Sequence, residues 1–82
     1  MIISPGEILE EELKARRLTP KRLAQRIGKP LRVVSDILQA RRPITADIAL
    51  ALADALNISA EFWMNLESNY RLHLARRRRA AG

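Results

Sequence analysis

Arg32, Ser35 and Gln39 are spaced by three and then four residues, which places their side chains on one face of a helix. A guanidinium, a hydroxyl and a carboxamide in such a row are hydrogen-bonding groups suited to base edges or phosphate oxygens. Arg32 can give guanine a bidentate pair, worth about 1–3 kcal/mol of discrimination. Ser35 can bond a base or a phosphate. Asp36 has the wrong charge for phosphate, so it would accept from cytosine or orient Arg32. Arg41 and Arg42 follow the row, Lys21 and Arg22 precede it, and both pairs suit phosphate. Bond-making chemistry has no comparable support. His73 is the sole histidine and cysteine is absent, so neither a nucleophile pair nor a metal site is indicated, and no cofactor is expected. The acidic residues read better as helix caps and exposed pairs, which disfavours a nuclease or other small enzyme. RNA binding is disfavoured too, because no sheet of stacking aromatics is indicated.

The polar row needs a frame. Thr19 is a good N-cap, and Pro20 fits the first helical position after it. Leu23, Ala24 and Ile27 recur at helical spacing, and Gly28 supplies a left-handed stop. Lys29 and Pro30 make a very short turn. A third helix then runs from about Leu31 to Gln39, with Val34, Ile37 and Leu38 inward. Two short helices, a tight turn and a small Ala24 where they touch make a helix-turn-helix over about 19–39. The second helix of such a motif enters the major groove of duplex DNA.

The flanking segments read as helices as well. Ser4 and Glu7 fit a capping box with Pro5 beside the cap, ahead of an apolar face of Ile8, Leu9 and Leu13. Pro43 blocks continuation of the third helix. Thr45 caps a fourth helix, Ala46 to Leu56, whose inward face is Ile48, Leu52, Ala53 and Leu56, and Asn57 is a left-handed stop. Ser59 caps a fifth, longer helix with Phe62, Trp63, Leu66, Tyr70 and Leu74 on its apolar face. The expected fold is all-α, with five helices and no strand.

A chain of 82 residues holds one domain. Residues 1–75 are read as the helix-turn-helix domain and 76–82 as a basic flexible tail. The net charge of +6 and pI near 11.1 favour a polyanionic partner. Arg76 to Arg79 supply four of those six charges, so the remainder carries only +2. The tail would attract phosphates without reading sequence. No apolar run approaches the ~20 residues of a membrane span, and the start lacks the pattern of a secretion signal. A cytoplasmic protein without a membrane partner is expected.

At the level of motifs, Thr19-Pro-Lys-Arg-Leu23-Ala24-Gln-Arg-Ile27-Gly28 with Val34-Ser35-Asp36-Ile37 resembles the Xre/Cro-type, lambda-repressor-like helix-turn-helix. Three further blocks resemble the HigA-type (VapI-like) antitoxins: Pro5 to Leu9, Arg42 to Leu50, and Ser59 to Leu66 with Tyr70. The resemblance runs from Pro5 to Tyr70. It implies a five-helix dimeric domain that binds a palindromic operator upstream of its own operon and neutralises a HigB/RelE-like toxin. A stand-alone Xre/Cro-type repressor without a toxin is the alternative. The DNA-contacting residues implied are Thr19, Lys21, Arg22, Leu31, Arg32, Ser35, Gln39, Arg41 and Arg42. Three positions depart from the pattern. Ala40 stands where glycine is usual, at a cost of roughly 1 kcal/mol if it is left-handed. Gln39 replaces a common Asn. Leu31 replaces a polar base reader, and could pack on a thymine methyl.

The apolar stripe on the fifth helix extends beyond what four short helices can cover. That surplus points to a homodimer or toxin contact, with Trp63, Leu66, Tyr70 and Leu74 as the expected contact residues, while the alternative for Phe62 and Trp63, favoured in a chain with only three aromatics, is a place in the core.

Overall fold

Three of the five helices begin where a Ser or Thr side chain takes up a free backbone N–H group, and a fourth begins beside a Glu carboxylate that does so. A computed structural model describes residues 2–82, as α1 (Pro5–Ala15), α2 (Pro20–Ile27), α3 (Leu31–Leu38), α4 (Ala46–Leu56) and α5 (Ala60–Ala81). Glu7 accepts the Ser4 backbone N–H at 3.1 Å ahead of α1. Thr19 Oγ1 accepts from the Arg22 amide, Thr45 Oγ1 from the Ile48 amide and Ser59 Oγ from the Phe62 amide. These caps satisfy donors that a helix start leaves unpaired. Among the described residues there is no strand.

The first three helices stop in the same way. The amides of Leu18, Lys29 and Arg41 reach back to the carbonyls of Leu13, Ala24 and Asp36 at 2.9, 3.0 and 2.8 Å. Each closure turns on a left-handed residue: Arg17 (φ 53°), Gly28 (φ 67°) and Ala40 (φ 59°). Such a closure satisfies the last carbonyls and reverses the chain sharply. Asn57 (φ 57°) ends α4 in the left-handed conformation as well. Ala40 therefore adopts the costly conformation that glycine would have taken freely.

The core gathers Leu9 and Leu13 of α1, Leu23 and Ala24 of α2, Val34 and Ile37 of α3, Ile48, Ala49, Leu52 and Leu56 of α4, and Trp63 of α5. Ile44, in the loop between α3 and α4, joins them. Helix α1 packs on α3 and α5, α2 on α3 and α4, and α4 on α5. Gly6 makes the α1–α3 contact close. A Cβ there would lie 2.2 Å from the Ile37 carbonyl oxygen and 2.7 Å from that of Leu38. A longer tie joins Arg16 to the end of α4, where its Nη2 donates to the Leu56 carbonyl at 2.6 Å.

Two features differ from the sequence expectation. Phe62 and Trp63 do not share a face. Adjacent helical residues point about 100° apart, so Trp63 is fully buried while Phe62 is exposed, with the rings edge to face at 5.5 Å. The second concerns the C-terminal boundary. Helix α5 runs through Arg76–Arg79 to Ala81, because arginine and alanine favour helix and the cations face the negative end of its dipole. With 22 residues, α5 gives the molecule its 41 Å long axis against 21 Å in the other two directions.

Candidate nucleic-acid interface

Helix α3 is fixed from behind by Val34 and Ile37, which bury against Leu23 and Ala24 of α2. Its other face is open. Leu31 is 45% exposed at the first helical position. Arg32 is exposed, Ser35 is half-buried, and Gln39 caps the C-terminal end with its side chain exposed. The three polar residues form one row along α3.

Cations stand in the chain segments before and after α3. Thr19, Lys21 and Arg22 are exposed at the start of α2. Thr19 Oγ1 already accepts the Arg22 amide at 3.1 Å, which leaves its hydroxyl hydrogen to donate to an anion. Arg41 and Arg42 are exposed in the loop after α3. Among the described residues, Lys21, Arg22, Arg32 and Arg41 have no carboxylate within salt-bridge distance. Their charge is uncompensated at the surface. Asp36 is different: its Oδ2 faces Arg42 Nη2 at 3.4 Å. Its partner is Arg42 rather than Arg32, because the reversal at Ala40 folds residue 42 back over the last turn of α3.

The expected contact face on α5 needs one correction. Trp63 has no accessible surface, so it is a core residue and cannot meet a partner. Leu66, Tyr70 and Leu74 are half-buried. Tyr70 and Leu74 line a groove of about 490 Å³ with Ile2, Leu38, Gln39 and Arg77. Part of the stripe is thus covered within the chain. More open apolar surface lies elsewhere: Leu50 is 59% exposed, and with Met64, Ala46 and Ala60 it lines a second groove between α4 and α5. Leu50 falls off the Ile48–Leu52–Leu56 row, and that offset is the signal that could have found it.

Sequence reasoning also missed Glu67. This carboxylate is 6% exposed. Its Oε1 accepts the Ile44 backbone N–H at 2.8 Å, and its Oε2 pairs with Arg71 Nε. Among the described residues no cluster of His, Cys, Asp or Glu could hold a metal ion, and no helix is long and apolar enough to cross a membrane.

A helix-turn-helix family model matches residues 9–63, from within α1 to the start of α5. The chain is 38% identical to virulence-associated protein I of Dichelobacter nodosus over 74 residues, covering 89% of this chain and 68% of that protein. The HigA-family addiction module antidote protein of Coxiella burnetii superposes with a TM-score of 0.91 at 38% identity, covering 99% of this chain and 90% of that one. The chain belongs to the HigA-type antitoxin family of helix-turn-helix proteins. Another HigA, from Pseudomonas aeruginosa, was solved with the higBA promoter. It is 41% identical with a TM-score of 0.87, covering 92% of this chain and 83% of that one. HigA-type proteins are non-enzymatic regulators, and the nuclease reading falls with that membership.

Proposed function

We propose that this HigA-type chain binds a palindromic operator upstream of its own operon as a homodimer, represses that operon, and neutralises a HigB/RelE-like toxin encoded beside it. The observation that carries the reading is the open α3 row of Arg32, Ser35 and Gln39, with Lys21, Arg22, Arg32 and Arg41 free of carboxylate partners among the described residues. In this reading α3 lies in the major groove. Arg32 and Ser35 read base edges, Leu31 packs on a thymine methyl, and Gln39 contacts the far end of the half-site. Thr19, Lys21 and Arg22 hold one stretch of phosphates, and Arg41 and Arg42 hold another. The Pseudomonas relative solved with the higBA promoter supports binding to promoter DNA.

Leu66, Tyr70 and Leu74 supply a contact for the second copy or the toxin. Residues 1–75 carry these functions, and Arg76–Arg79 add affinity for phosphate without reading sequence. The protein works in the cytoplasm, where its operator and toxin are found.

The test has two arms. Fluorescence anisotropy compares the duplex upstream of the operon with a scrambled duplex of equal length and composition, at a stated salt concentration. Tighter binding of the natural duplex is expected, and equal binding overturns the operator claim. Co-expression with the neighbouring open reading frame then reads copurification and growth rescue. A chain that binds the operator but neither copurifies nor rescues is a stand-alone repressor.

A further inference from the structure

The loop between α3 and α4 carries Arg41, Arg42 and Pro43 exposed between two fixed ends. The upstream end is the closure at Ala40, with the Arg41 amide on the Asp36 carbonyl at 2.8 Å. The downstream end is Ile44, whose side chain is buried and whose N–H points into the protein. A buried amide must find an acceptor. The acceptor comes from 23 residues further along the chain, as Glu67 Oε1 at 2.8 Å. A carboxylate is an expensive group to bury for one amide. Glu67 is held by Arg71, one turn along α5, and the Arg71 guanidinium in turn lies 5.3 Å from the Tyr70 ring centroid.

We infer that Glu67 is a positioning residue for the DNA grip: by holding the Ile44 amide it fixes the loop that presents Arg41 and Arg42 to phosphate. The inference rests on the DNA-binding reading above. It makes α5 part of the nucleic-acid site without touching nucleic acid. Log K falls with log salt at a slope of about 0.9 per phosphate neutralised, so near 0.1 M salt one contact is worth roughly an eightfold factor in binding.

The experiment measures binding of the full chain to its operator across a salt series. Glu67→Met keeps the side-chain volume and removes the acceptor. Glu67→Gln keeps an acceptor for Ile44 and removes the charge. Glu67→Asp keeps the charge and withdraws the acceptor by one methylene, and it serves if Glu67→Met does not fold. Glu67→Met and Glu67→Asp are expected to weaken operator binding near 0.1 M salt about eightfold per half-site, roughly sixtyfold for the two, with a salt slope smaller by about 1 per half-site. Glu67→Gln should stay near the parent. Added to Arg41→Ala/Arg42→Ala, Glu67→Met should cost little more, since the groups it positions are gone. Parent-like binding by the acceptor-free variants overturns the inference. So does a loss that simply adds to the arginine variant, or a Glu67→Gln chain as weak as Glu67→Met, since each marks a general stability effect. Failure of the parent chain to prefer its operator defeats the underlying reading instead, and the inference with it.

Discussion

Arg32 and Arg41 carry the same charge, have no carboxylate partner among the described residues and stand nine residues apart, yet the proposed DNA-binding reading gives them different work. Arg32 sits on the first turn of α3, where a recognition helix meets base edges. Arg41 sits in the loop, where side chains meet phosphate. Arg32→Ala is therefore expected to cost about 1–3 kcal/mol on the operator and almost nothing on random duplex. Arg41→Ala should weaken both alike and lower the salt slope by about 1 per bound copy. Equal losses on both duplexes for Arg32→Ala would remove its reading role. Ala40 offers a stability test at the same scale. Its left-handed φ of 59° costs about 1–2 kcal/mol relative to glycine, and glycine returns about 0.4–1 kcal/mol of that through unfolded-chain entropy. Ala40→Gly should therefore stabilise by about 0.5–1 kcal/mol, read as a higher urea midpoint at unchanged m-value. A lower midpoint would mean that the strain is not there. The outward polar row was legible in the sequence because helical spacing alone sets it. The partner of Asp36 was not, since it depends on where the left-handed turn at Ala40 sends the chain.

Elements were legible for a related reason. Caps and stops are local signals, and Thr19-Pro20, Gly28, Thr45, Asn57 and Ser59 each act within one turn of the helix they bound. What joins elements is not local. Ile44 lies outside any periodic run, so periodicity could not place it in the core. Glu67 gave one faint signal, a carboxylate on the row of Trp63, Tyr70 and Leu74 where an apolar residue is expected. Gly6 gave none, because its need comes from the backbone of another helix. Its Cα approaches the last carbonyls of α3 so closely that a methyl group would meet Ile37 O at 2.2 Å. In an isolated helix Gly6→Ala would stabilise by about 1 kcal/mol. Here backbone faces backbone, and neither side can rotate away. Gly6→Ala is expected to destabilise by about 1–3 kcal/mol through overpacking and to tilt α3 against α2. Denaturant unfolding reads the first effect, and amide shifts of residues 31–39 read the second. A more stable variant with unshifted α3 amides would overturn the close-contact account.

At the scale of the whole molecule, one copy reads little DNA. Helix α3 has 8 residues, about 12 Å of length, enough for a few base pairs within one groove. An operator read at useful specificity needs a second α3 on the same face of the duplex, one turn away at about 34 Å. The molecule measures 41 Å along one direction and 21 Å along the other two, so the faces that meet in the pair must be those that set the two α3 helices at that spacing. Open apolar surface to join them is available, with Leu50, Phe62 and Met64 exposed and Leu66, Tyr70 and Leu74 half-covered. Sedimentation should therefore show a dimer at micromolar concentration. The DNA gives an independent check. Inserting about five base pairs, half a turn, between the operator halves carries one half-site to the opposite face of the duplex. Binding should fall to the level of an isolated half-site, and an insertion of about ten should restore part of it. A monomer both free and on DNA, or binding indifferent to the half-turn insertion, would leave α3 reading a single site and would remove the homodimer from the mechanism.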